Sequence, residues 1–174
     1  MPYVEVACRL LLATVFGIAL AGKVSGRAAW AAFEDSLRAM AVVPAARVRA
    51  TARASAATEL AIVAGLLIPL RPAGLAGFLL AAGLLTVFAW AIAIVVRRKQ
   101  AVRCRCFGTS STPLSVRHIG RNVALIAVAV LGAVATAGST AAQLPAALLA
   151  GVVGVLLGLL VAALDDLVDL LRPL

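Results

Sequence analysis

Two cysteines one residue apart, Cys104 and Cys106, are the side chains of this sequence best suited to chemistry. They flank Arg105, follow Arg103, and precede Phe107-Gly108 in a stretch otherwise rich in Arg, Lys, Ser and Thr. A disulfide between such near neighbours closes a small ring that departs from relaxed geometry. A strained bridge is easily reduced, so it suits exchange better than stapling. The surrounding cations, with Arg97, Arg98 and Lys99 close by in sequence, favour the thiolate. A reactive thiol pair is therefore chemically sensible. The same spacing also suits a soft-metal clamp for Cu(I), half of a zinc site, a juxtamembrane palmitoylation site, or two inert thiols.

Other chemistry-bearing residues are sparse. Lys23 and Glu59 fall at matching depths near the ends of two apolar runs, which makes an ion pair between them the default structural reading. The functional alternative has one of them shuttling protons for thiol chemistry or lining a small-molecule pocket. His118, Arg121 and Asn122 open a later helix after Ser115, a candidate N-cap. His118 and Arg121 suit lipid headgroups. Two thiols with His118 would make three metal ligands, but the twelve-residue gap matches no recognised zinc spacing; no metal site is assigned. Cys8 reads as a small apolar packing residue. No phosphate-binding glycine loop, Ser/His/Asp triad or pair of catalytic carboxylates is present. Whether the chain is an enzyme stays open at this stage.

The elements that must position these residues follow from composition. The 174-residue chain is 64% hydrophobic and 13% charged, with a mean hydropathy of +1.10. A soluble domain is about half apolar and a quarter charged. The balance excludes an ordinary soluble enzyme, a disordered tail and a coiled coil. It predicts an all-α integral membrane protein, read as one membrane domain over 1–174. Five uninterrupted apolar runs qualify as spans: about 4–22, 55–70, 73–96, 119–137 and 144–164. Each must be helical, because lipid offers no partner to an unpaired backbone group. Pro69 and Pro72 mark a tight turn between the second and third. From about 28 to 43 the chain is too polar to cross. There Trp30, Phe33, Leu37 and Met40 share one face, opposite Glu34, Asp35 and Arg38. That spacing predicts an amphipathic helix in the interface or across the bundle mouth. The tail at 165–174 repeats the pattern with Asp165, Asp166 and Asp169.

Charge placement gives a sidedness. Of 16 Lys and Arg residues, six lie between Lys23 and Arg53 and seven between Arg97 and Arg121. Both groups flank spans on one side, the pattern of cytoplasmic loops. The N-terminus is thus expected outside an inner or plasma membrane. The Cys104/Cys106 loop and the C-terminus are expected in the cytoplasm. Cys8 then lies across about 30 Å of hydrocarbon from the pair, too far for a disulfide. An alternative is a signal-peptidase site at Ala19-Leu20-Ala21, which would put the basic 23–54 segment outside. The net charge of +9 does not read as nucleic-acid binding, since few aromatics stand among the cations. The implied partner is the lipid bilayer.

One ordered set of residues resembles a known family. Arg9 with Leu12 and Phe16, Lys23, Glu59-Leu60 with Gly65, Cys104-x-Cys106-Phe107-Gly108, Pro113-Leu114-Ser115 and Arg121-Asn122 together resemble the MauE family of methylamine-utilisation membrane proteins. The family is related to DoxX-type four-helix bundles, and the resemblance runs from about 9 to 164. It implies a role in maturing a secreted redox protein, through processing, transport or disulfide formation of a methylamine-dehydrogenase-type subunit beside a thioredoxin-like partner. In that reading Cys104 and Cys106 form the redox pair, supported by Lys23, Glu59, Arg105, His118, Arg121 and Asn122. Arg105 stands where the family pattern leads one to expect a small residue such as glycine. A secreted substrate wants thiols outside, whereas the charges put this pair inside. Electrons would then have to cross through a quinone, a partner subunit or an alternating conformation; no other cofactor is evident. The alternative function is a non-catalytic membrane scaffold, or a small-molecule or metal carrier, with a structural polar cluster.

Overall fold

A computed structural model of the chain describes residues 1–98, 116–138 and 143–170, without the side chains of 165–170. Every regular element among them is helical. In chain order these are α1 (Pro2–Val24), α2 (Arg27–Met40), a short 3-10 turn (Ala45–Arg47), α3 (Val48–Leu67), α4 (Arg71–Arg97), α5 (Val116–Ala137) and α6 (Leu144–Leu170). Five of them are long and apolar enough to cross a membrane: α1, the turn with α3, α4, α5 and α6.

The expected spans are present, with three shifts. α3 starts at Val48 where hydropathy places a start near 55. Its first turns bury Val48 and Ala52 but expose Arg49 and Arg53, so an all-round apolar criterion misses them. α5 starts at Val116, about three residues before the expected 119. α6 continues unbroken from Leu144 to Leu170, taking in part of the tail. Arg71 and Pro72 open α4, where proline's missing donor costs nothing.

Four helices form a ring in the order α1, α3, α4, α5, with α5 closing back onto α1. Their shared core holds Leu12, Phe16, Ile62, Phe78, Leu85 and Leu125, each almost wholly buried. α6 docks on the outside of α1, where the chains come close enough to need glycine. A Cβ on Gly158 would lie 2.8 Å from the Leu11 carbonyl oxygen, and one on Gly154 would overlap the Ala7 carbonyl. Such small-residue contacts are how membrane helices associate, since lipid leaves them no hydrophobic drive.

α2 is the amphipathic helix, packed against both α1 and α3. It buries Phe33, Ser36 and Met40. Ala41 ends it in the left-handed region at φ 48°, with its N–H donating to Arg38 O. Arg98, just past α4, donates from Nη1 to the Ala41 carbonyl at 3.2 Å. The turn after α2 is thereby tied to the end of α4.

Candidate functional site

The inward stripes of three ring helices change from apolar to polar toward the same end. On α1 the buried order is Leu12, Phe16, Ala19, then Lys23. On α3, read backwards, it is Leu66, Ile62, Glu59, then Ser55. On α5, also backwards, it is Ala129, Leu125, Asn122, then His118. These steps of three and four residues follow one face of a helix. A polar layer thus caps one end of an apolar core.

Lys23 and Glu59 are the centre of that layer. Lys23 Nζ donates to both carboxylate oxygens of Glu59, at 2.7 and 2.9 Å. The side chains are 2% and 0% exposed. Nζ also lies 3.4 Å from the Ala19 carbonyl and 5.1 Å from the centroid of the Phe33 ring. Burying a lone charge in hydrocarbon is expensive. Each ion is therefore matched by the other, and α2 covers the ammonium with an aromatic face. The ion pair expected from depth is present.

Asn122 is different in kind. It is 0% exposed, and neither its amide nitrogen nor its amide oxygen has a hydrogen-bond partner. Ser55, one turn from Glu59 on the same face, also has a buried hydroxyl without a partner. The depth of Asn122 follows from packing. Gly132 on α5 abuts Cys8 on α1. Ten residues along each antiparallel helix, about 15 Å, bring Asn122 level with Ile18, and one further turn sets His118 near Gly22. His118 is buried at 8% exposure, so it does not stand among headgroups as its place near a helix start suggested. Because α5 already includes it, His118 lies one turn before Asn122 on the inner stripe. Arg121 is half-buried on another face of α5.

The opposite end carries a separate polar device. Arg9 pairs with Glu5 at 2.8 Å, and its Nη1 donates to the carbonyls of Leu66 and Ile68 at 3.3 and 2.9 Å. Those carbonyls belong to the end of α3, where helix geometry leaves acceptors unpaired. Gly74 on α4 makes room for the guanidinium. This is a clasp between α1, α3 and α4, and a structural one.

Of the residues singled out from sequence, Lys23, Glu59, His118 and Asn122 share the polar layer. Cys104, Cys106 and Arg105 lie outside the described residues. Cys8 is a core residue, packed in the central cluster. Among the described residues no three His, Cys, Asp or Glu side chains gather as a metal site would. Ser55 and Phe33 belong to the layer but were not singled out as site residues. The i, i+4 spacing of Ser55 and Glu59 could have pointed to the first. Nothing local could have placed Phe33 over Lys23.

A multi-pass helical bundle with a buried ion pair at one end defines the class: an integral membrane protein built on a four-helix ring. The chain belongs to the family described as methylamine utilisation protein MauE, whose sequence profile matches residues 1–135. That match covers the ring and ends just inside the last turn of α5, leaving α6 beyond it. No curated protein and no solved structure matches the chain.

Proposed function

We propose that this chain is a membrane thiol–disulfide exchange component that supports maturation of a partner redox protein. Cys104 and Cys106 are the exchanging pair, and the polar layer is their support. The observation that carries the reading is the buried, unpartnered amide of Asn122 in the same polar layer as the Lys23–Glu59 pair. An orphaned buried amide costs about 1–3 kcal/mol, and such a cost is typical of a functional site. The segment with both cysteines leaves α4 after Arg98 and enters α5 at Val116. Arg98 is tied to the turn after α2, and α2 itself covers Lys23.

Exchange with a partner disulfide on the same side of the membrane needs only the two thiols; a secreted substrate would in addition need a quinone, a partner subunit or an alternating conformation to carry the electrons across. The thiolate of one cysteine attacks a sulfur of the partner's disulfide, and the partner's leaving thiolate takes up a proton. The second cysteine, losing its own proton, then attacks the mixed disulfide and releases the partner as a dithiol. Two electrons and two protons pass to the partner, and Cys104–Cys106 becomes the disulfide; the reverse sequence oxidises the partner. Lys23, Glu59 and His118 supply groups that hold or relay those protons, and the Asn122 amide offers a hydrogen-bond donor and acceptor among them. Arg105 adds positive charge that favours the thiolate. The partner in this reading is a thioredoxin-like protein. The sidedness is the one the loop charges give, with the N-terminus outside and the thiol segment cytoplasmic.

The test is trapping. Cys106→Ser, or the reciprocal Cys104→Ser, should accumulate a mixed disulfide with a thioredoxin-like protein. The adduct should be visible as a band shift in cell membranes and reversed by reductant. If neither variant traps an adduct and both retain full activity in a partner-maturation assay, the exchange reading fails. The polar layer is then that of a non-catalytic scaffold. Stoichiometric Cu(I) or Zn lost in either variant would instead mark a metal clamp, and a hydroxylamine-sensitive mass shift a lipid anchor.

A further inference from the structure

α5 and α6 both pack on α1 and barely on one another. Between them lies a cleft of about 400 Å3, floored by Leu11 and walled by Ala124, Val128, Val161 and Leu164. Toward the Lys23 end its lining changes to Gly120, Arg121 and Arg117. We propose that this cleft is a seat for one glycerophospholipid. The phosphate lies against Arg117 and Arg121, and an acyl chain runs between α5 and α6.

Charge, length and lining all fit that occupant. Arg117 and Arg121 are four residues apart, so their guanidiniums stand on one face of the first turns of α5. Two guanidiniums there present planar forks of donors to a single phosphate. Each carries five N–H groups, so Arg121 can serve a phosphate alongside its other contacts. Basic pockets between membrane helices recognise phosphorylated headgroups for the same reasons. From Arg117 to Val128 the cleft follows α5 for about 16 Å, half of a hydrocarbon core about 30 Å thick. One leaflet's acyl chain has that reach. The mouth is open at Gly120, where a Cβ would meet nothing within 4 Å. α6 supplies one whole wall, and it lies beyond the family match at 1–135. The seat is thus made by the helix this chain carries in addition to the matched ring.

Native mass spectrometry of the delipidated full chain in detergent tests the assignment. The probes are phosphatidylglycerol, phosphatidylethanolamine and diacylglycerol with the same acyl chains. One phospholipid per chain should be retained, at least tenfold more tightly than diacylglycerol. A preference for phosphatidylglycerol would read net charge and equal retention the shared phosphate; both support the seat. Arg117→Gln with Arg121→Gln should weaken retention at least tenfold. Ala124→Trp, which fills the cleft, should abolish it. Leu131→Trp, on the exposed surface of α5 outside the cleft, should leave it unchanged. If the double variant does not fold, the exposed Arg117→Gln alone should still weaken retention severalfold. Headgroup-blind, non-saturating binding means annular lipid only and overturns the proposal. So does retention that survives both the arginine and the Ala124 changes.

Discussion

Lys23 and Glu59 each depend on the other. Removing one partner of a buried pair costs roughly 3–5 kcal/mol, because the remaining charge has no counter-ion. Lys23→Met or Glu59→Gln alone should therefore lower the thermal midpoint in detergent sharply, and the double change should recover part of the loss. Simple additivity in that cycle would mean the two groups are not coupled. Asn122 should behave in the opposite sense. Asn122→Leu removes two orphaned polar atoms at nearly constant volume, so it should stabilise the bundle by about 1–3 kcal/mol. It should also reduce the yield of trapped mixed disulfide. A fall in stability would show that the amide is satisfied in the folded protein. The pair was legible in the sequence because two charges at one depth in hydrocarbon leave few alternatives. Ser55, the burial of His118 and the ring of Phe33 over Lys23 were not. They depend on which way a helix is rotated, and a shift of three residues in a helix start obscures that.

At the scale of helices, apolar run length located all five spans, and Pro69 and Pro72 located the turn between α3 and α4. The method fails where a helix is apolar on one face only. The first turns of α3 bury Val48 and Ala52 while exposing Arg49 and Arg53, and a hydropathy reading discards them as loop. The amphipathic spacing of α2 was legible, but its contact surface was not, since that depends on where α1 and α3 end. The seating of α6 rests on Gly154 and Gly158 against the backbone of α1. Gly154→Leu should overpack that contact, cost about 1–3 kcal/mol, and lower the thermal midpoint. Gly83→Leu is the control: a Cβ at Gly83 meets nothing within 4 Å, so it should leave the midpoint near that of the parent. Equal effects of the two would mean that α6 is not held by this close approach.

For the whole molecule, the loop charges make a prediction independent of the fold. An impermeant maleimide applied to intact cells should leave Cys104 and Cys106 unlabelled until the membrane is opened. Labelling of either cysteine in cells shown to be sealed would reverse the proposed sidedness. The apolar stretch between the Arg9 clasp and the Lys23 pair carries a different consequence. Fourteen residues of α1 separate the two, a rise of about 21 Å. The core across that stretch includes Phe16, Phe78 and Leu85, each fully buried. In a bilayer such an apolar stretch would be the main insulator of the molecule, with most of the membrane voltage falling across it. A charge carried through the whole field gains or loses about 2.3 kcal/mol per 100 mV. A proton taken up and returned at the Lys23 end crosses almost none of it. If thiol exchange takes place at that end with a partner on the same side, as proposed, it is expected to run at the same rate in energised and depolarised membranes.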